Sequence, residues 1–250
     1  MIREEPHPLP KSIGGLLLLA LEAYGKRLGT YLALAVASIG LQSLVMLAFP
    51  ANRGASVAAN LCADAFIAAV VTIGVIADLG VKGKSTRTVF ADAVHRWWVL
   101  AAIGFVELLL QLLFGELAAG TQQNAADILS TALTGVIITV LSCALNMGTV
   151  IGAIDTRTRS LLIVPASIGR GLAISLAWAN IGRLLFLSAI VVIPVIVAGA
   201  LDQQLTLVHH AQATFWVDTP IDALTTGPLQ ALFSVFYLDF VRRLIRAHVP

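Results

Sequence analysis

The sequence predicts an all-α fold, a polytopic bundle of six transmembrane helices. The first observation is composition: 58% of the 250 residues are hydrophobic and 12% are charged, and the mean hydropathy is +0.89. Soluble domains carry about 45–50% apolar and about 25% charged residues. The second observation is the presence of six long apolar segments, and the third is a strong bias of basic residues to alternate loops. This composition argues against a disordered chain, a secreted disulfide scaffold, a nucleic-acid-binding protein or an ordinary soluble enzyme.

Six segments are long enough to cross a hydrocarbon core about 30 Å thick, which takes about 20 helical residues. Helices suit this environment because they satisfy their own backbone polar groups. No soluble domain, linker or low-complexity tract separates the segments, so residues 1–250 are predicted to form a single integral membrane domain. The spans are placed near 28–49, 55–78, 97–115, 127–151, 183–201 and 222–241.

The loop charges predict the orientation of these spans. Fifteen of the sixteen basic residues fall on one side of the six-span arrangement, and only Arg53 falls on the other. The positive-inside rule places the basic side in the cytoplasm. Both termini are then cytoplasmic, as an even number of spans requires. We therefore expect a multi-pass protein of a bacterial-type inner membrane.

Short amphipathic segments precede spans one, three and five, and each ends in an arginine: Arg27, Arg96 and Arg183. Such segments are expected to lie in the cytoplasmic interface as elbow helices, with the arginine at headgroup level. In the second segment, Asp92 and Arg96 have the i,i+4 spacing of an ion pair. The ends of spans two and four, residues 73–78 and 151–155, also resemble each other. The pattern suggests three units, each made of an elbow, an outgoing span and a returning span.

Three stretches carry a family resemblance: Gly-Lys-Ser-Thr-Arg-Thr-Val-Phe-Ala-Asp-Ala-Val-His-Arg-Trp at 83–97, the glycine- and arginine-containing stretch 166–183, and Phe-Tyr-Leu-Asp-Phe-Val-Arg-Arg at 236–243. Together they resemble the YciC-type inner-membrane proteins and the membrane domain that accompanies some glycerophosphodiester phosphodiesterases. The resemblance covers most of the chain and implies a six-span helical architecture. It implies no active site, because the catalytic phosphodiesterase domain has no counterpart in this sequence.

Two acidic residues inside predicted spans form the first candidate site. Leaving a charge at mid-bilayer costs at least about 2.5–3.5 kcal/mol, so such residues are functional candidates. At 1.5 Å rise per residue, Asp64 and Glu107 lie roughly 13 Å and 12 Å below the outer face. Asn60 (i−4 from Asp64) and Gln111 (i+4 from Glu107) share a helix face with their carboxylates. The four residues either line an outward cavity whose carboxylates share a proton or bind a cation, or hydrogen-bond neighbouring helices as packing contacts. Helix rotation decides between these alternatives, and the sequence leaves both open.

A second candidate site is the basic cytoplasmic face, whose arginines could contact anionic lipid headgroups. Orientation by the positive-inside rule explains the same residues. Near the end of span six, Asp239 is spaced to form an ion pair with Arg242 or Arg243. The candidate headgroup ligands are Arg27, Arg96, Arg183, Arg242 and Arg243.

No catalytic, metal-binding or cofactor-binding motif occurs in the sequence, so we expect neither an enzyme nor a bound metal or cofactor. The adjacent His209 and His210 point to different faces of a helix and lack metal-ligand spacing. Gly148 and Gly152 form a small-xxx-small pair that favours close helix packing, within the bundle or between two copies.

Two functional hypotheses follow. In the first, the protein acts through structure, membrane lipids, other membrane proteins or a second copy of itself. In the alternative, it is a small proton- or cation-coupled transporter or channel that uses Asp64 and Glu107. An intramembrane enzyme acting on lipid is the weakest option, and no nucleic acid partner is expected.

Overall fold

The computed structural model describes residues 9–49, 53–80, 83–119, 125–155, 162–192 and 212–248, and within these ranges it contains helices and no strands. The prediction of an all-α fold is therefore confirmed for this part of the chain. The eight helices are α1 (Ile13–Gly25), α2 (Leu28–Ala48), α3 (Arg53–Leu79), α4 (Thr86–Ala119), α5 (Ala125–Ile154), α6 (Ile163–Ser175), α7 (Ile181–Val192) and α8 (Gln212–His248).

Of the described helices, four, α2 to α5, are long and apolar enough to cross a membrane. The qualifying stretches have mean hydropathies between 1.6 and 2.0, and they overlap predicted spans one to four, with boundaries that differ by up to 11 residues in α4. The described part of α7 starts within two residues of predicted span five, and α8 includes predicted span six. The stretches are Leu28–Ala48, Gly54–Leu79, Thr86–Leu113 and Thr134–Ile154.

The short helices differ from the predicted elbows at two of the three positions. Before α2, α1 is a separate helix, N-capped by Ser12, whose Oγ accepts a hydrogen bond from the Gly15 amide at 3.1 Å. Before span three there is no break, because residues 90–97 belong to the continuous helix α4. Before span five, residues 177–180 form a turn, and the short helix is α6. An amphipathic pattern has the same period in an interfacial helix and in the extension of a spanning helix, so the pattern alone does not distinguish the two.

Helix α3 lies at the centre of the bundle and packs against α1, α2, α4, α5 and α8. Residues 67–75, in its middle, are all buried, and apart from Thr72 they are apolar, which is typical of a helix surrounded by other helices.

Glycines allow α6 and α4 each to pack closely against α5. Any Cβ added at Gly171 would lie 2.7 Å from the Cα of Gly148, so the two backbones are in direct contact. Gly152 packs against Val99, whose Cγ1 would lie 2.8 Å from an added Cβ. The expected small-residue packing at Gly148 and Gly152 is confirmed as a contact within the bundle.

Candidate functional site

The four polar residues predicted in spans two and three line a single cavity of about 480 Å³. The cavity lies between α3, α4, α5 and α8. Helix α3 contributes Asn60 and Asp64, one turn apart, and α4 contributes Glu107 and Gln111, also one turn apart. The rotations of the two helices therefore bring both carboxylate residues to the same space.

Helices α5 and α8 complete the polar wall with residues that the prediction did not assign to the site. Asn146 and Thr149 come from α5, and Thr226 and Gln230 come from α8. The two amides were visible as polar residues within spans. A threonine in the sequence gives almost no indication of a polar site, because in a membrane helix it can hydrogen-bond its own backbone. Thr149 does so, since its hydroxyl donates to the carbonyl of Asn146 at 2.7 Å.

Side-chain hydrogen bonds hold both ends of the site to neighbouring helices. Asn146 donates from Nδ2 to the Glu107 carboxylate at 3.4 Å and to the carbonyl of Ser142 at 3.0 Å, which joins α4 to α5. On the other side, Gln42 of α2 donates from Nε2 to Oδ1 of Asn60 at 2.8 Å. These contacts fix where the amide of Asn60 and the carboxylate of Glu107 point.

A buried hydrogen-bond network continues from the cavity wall into the bundle. Gln230 donates from Nε2 to the hydroxyls of Thr72 at 2.8 Å and Thr149 at 3.2 Å, linking α8 to α3 and α5. Ser234, one turn further along α8, donates to the carbonyl of Gln230 at 2.7 Å. All four residues are buried. Polar side chains thus extend beyond the cavity along the inner part of α8.

The charge and chemistry of the lining favour cations over anions. Two carboxylates line the cavity, and none of its other described lining residues is a lysine, arginine or histidine. Carboxylate, amide carbonyl and hydroxyl oxygens are the ligands of hard cations. Across the described ranges there is no group of three or more His, Cys, Asp or Glu side chains suited to a metal ion. His209 and His210 lie outside those ranges.

Three of the predicted headgroup arginines are held in ion pairs. Arg27 forms a bidentate ion pair with Asp78, donating from Nε at 2.8 Å and from Nη2 at 2.7 Å. The hydrogen bond to Asp78 is the main cause that raises the pKa of Arg27. Arg183 is buried and pairs with Asp239 at 2.7 Å. Arg243 pairs with the same carboxylate at 2.9 Å, so the predicted i,i+4 pair is confirmed.

The remaining arginines of the predicted lipid-facing set behave differently. Arg242 donates to the carbonyl of Leu9 at 2.8 Å and is half-buried. Arg96 is half-buried on α4. Its expected partner, Asp92, forms an ion pair with Lys84 at 2.6 Å. The i,i+4 rule identifies only partners on the same helix, whereas Lys84 lies before the start of α4.

Comparison of the chain with protein-family models, with curated proteins and with solved structures finds no match. The resemblance to the YciC-type proteins stays a prediction from the sequence.

Proposed function

We propose that the protein is a six-span integral protein of the bacterial inner membrane that binds a small cation in the polar cavity and couples its movement to that of a proton. The observation that carries this proposal is the convergence of Asp64 and Glu107, from two different helices, on one cavity inside an apolar bundle. Acidic residues are rare in membrane spans, and when they face a polar cavity they commonly mark an ion pathway.

Two ion pairs support the six-span topology and its three-unit plan. Arg27 precedes the first proposed outgoing span and pairs with Asp78 at the end of the returning span. Arg183 starts the fifth proposed span and pairs with Asp239 near the end of the sixth. Corresponding positions of the first and third units are thus joined in the same way. At 37 residues, α8 is also long enough to cross a bilayer, since 20 residues suffice.

The cavity offers a simple basis for coupling. Two carboxylates that line one cavity disfavour each other's charged form unless a positive charge compensates them. Either protons or a bound cation can supply that charge, and only deprotonated carboxylates bind the cation, so the two compete. Cation entry therefore releases protons, and the apparent affinity for the cation increases with pH. The amides of Asn60 and Asn146 provide further neutral oxygen ligands at the same site.

Size also favours a binding cavity over simple packing. A water molecule takes about 30 Å³ of liquid volume, and the cavity of about 480 Å³ is many times larger. A purely structural role is the second candidate, and the hydrogen bond from Asn146 to Glu107 across α4 and α5 favours it.

Cation-dependent stability of the purified protein tests this function. The melting temperature is measured in Na⁺, K⁺ or Li⁺ against N-methylglucamine at constant ionic strength, between pH 6 and pH 8.5. A ligand at a hundred times its Kd stabilises a protein by about 2.7 kcal/mol. We expect one alkali cation to raise the melting temperature, with the effect growing as pH rises. The Asp64→Asn/Glu107→Gln double variant should lose this response.

Glu22→Gln is the matched control, because Glu22 is an exposed acid on α1 that lies outside the cavity. It should respond to the cation like the unaltered protein. An equal response in the unaltered protein and the double variant would overturn the cation site. Flux in proteoliposomes then separates transport from static binding, since a structural cation site would give stabilisation without flux.

A further inference from the structure

A second cavity, of about 350 Å³, lies at the end of α8 that contains the arginines. We call it the basic pocket. The segment that leads into α1 forms one wall, the turn before α7 and the start of α7 form another, and the last turns of α8 form the third. Its charged lining consists of Lys11, Arg183, Asp239, Arg242, Arg243 and Arg246.

The basic pocket has a large excess of positive charge. Among the described residues of the lining, five cationic side chains share one carboxylate, which leaves four positive charges formally uncompensated there. That carboxylate, Asp239, accepts hydrogen bonds from both Arg183 and Arg243. One acid therefore orients two guanidinium groups but neutralises the charge of only one.

Two of the guanidinium groups, those of Arg183 and Arg242, are held in place by hydrogen bonds to the protein. Arg183 is only 8% exposed, and besides Asp239 it bonds the carbonyl of Lys11 at 2.6 Å. Arg242 is anchored by the carbonyl of Leu9. A guanidinium carries five N–H donors, and the bonds of Arg242 to other described residues use one of them. Anchored arginines with remaining donors bind oxyanions at a low entropic cost.

We propose that the basic pocket binds a phosphate group, either that of an anionic phospholipid headgroup or that of a small soluble phosphate. The planar guanidinium matches two phosphate oxygens at once, and charge-assisted bonds of this kind are among the strongest in proteins. Orientation in the membrane needs positive charge on a loop, but it needs neither a pocket nor a buried arginine. This inference does not rest on the cation cavity, which is lined by different residues.

The surroundings of the pocket favour the lipid source. Trp178, next to the lining residue Ala179, is 90% exposed, and Leu176 is also exposed on the same turn. An exposed tryptophan beside arginines is typical of the membrane interface, where indole rings lie at headgroup level. A headgroup in the pocket would place its acyl chains beside this apolar turn.

Binding of two defined probes to the delipidated protein tests the proposal. Native mass spectrometry measures the uptake of phosphatidylglycerol, and thermal shift measures the effect of sodium phosphate against sodium chloride at equal ionic strength. We expect saturable binding of at least one probe. The Arg242→Gln/Arg246→Gln variant should bind it at least about tenfold more weakly, since one hydrogen bond to a charged group is worth about 1.5–3 kcal/mol.

The choice of variants keeps the test independent of folding. Arg246 is exposed, so Arg246→Gln alone should fold normally and still weaken binding. Arg87→Gln, which removes an exposed basic residue of α4 outside the pocket, should bind like the unaltered protein. Uptake of phosphatidylglycerol that phosphate does not displace identifies a lipid headgroup, and a stabilisation by phosphate identifies a soluble anion. Binding of neither probe, or equal binding by the double variant, would overturn the proposal.

Discussion

The contact between α5 and α6 allows a sharp prediction about Gly171. The buried residues of α6 are Ile163, Ser167, Gly171 and Ser175, and at Gly171 the backbone of α6 is in contact with that of α5. Replacement by alanine adds one methyl group. Its carbon would lie 2.7 Å from the Cα of Gly148 and 3.1 Å from the carbonyl oxygen of Ala144.

The geometry sets the size of the effect. Non-bonded carbons are most favourable at about 3.5–4.0 Å, so α6 would have to move away by roughly 1 Å. Overpacking of this kind costs about 1–3 kcal/mol. Gly169, two residues earlier on α6, is exposed and has nothing within 4 Å of an added Cβ. Gly169→Ala should instead stabilise by up to about 1 kcal/mol through helix propensity.

The two variants form a matched pair, because each makes the same chemical change on the same helix. Unfolding in mixed micelles with increasing sodium dodecyl sulfate gives the free energy of unfolding of each variant. We expect Gly171→Ala to be less stable than Gly169→Ala by about 1–3 kcal/mol, the cost of overpacking, because both variants gain the same helix propensity. Equal stabilities would refute the close contact between α5 and α6.

The remaining predictions concern polar contacts and use the same unfolding measurement. Asp239→Asn leaves the buried Arg183 without its countercharge and should cost about 3–5 kcal/mol. Asp92→Asn, in which the carboxylate of the exposed pair with Lys84 is lost, should cost less than about 1 kcal/mol. Equal losses for the two variants would contradict the burial of the Asp239 pair. Gln230→Leu leaves two buried threonine hydroxyls without their donor and should cost about 1–3 kcal/mol; a neutral result would count against that network.

The helical fold could be predicted because hydropathy depends on composition over about 20 residues, which the sequence displays directly. The four predicted spans that overlap long apolar helices of the described chain were recognised from this composition. The elbow helices were harder to predict than the spans, since the sequence pattern around Arg96 has the helical period whether or not the helix bends there. Helix α4 continues through it, while before α7 the turn is held by Asn180, which bonds the carbonyls of Ile174 and Phe240.

For the candidate site, the sequence could predict which residues share a face of one helix, but not which faces of different helices meet. Asp64 with Asn60, and Glu107 with Gln111, share faces by spacing alone. That the two faces meet depends on how α3 and α4 rotate against each other, which tertiary packing determines. For the same reason the pair between Arg183 and Asp239, 56 residues apart, has no signal in a single sequence.

Water access to the cavity tests the central claim most directly. In a Cys62→Ala/Cys143→Ala parent, Glu107→Cys and Leu109→Cys are treated with a charged, membrane-impermeant methanethiosulfonate reagent from the outside of intact cells. Glu107 lines the cavity, whereas Leu109, two residues along α4, is exposed on the outer surface of the bundle. Only a thiol that meets water can ionise and react. We predict modification of Glu107→Cys but not of Leu109→Cys; an unreactive Glu107→Cys, or equal reaction of both, would contradict a water-filled cavity between the carboxylates.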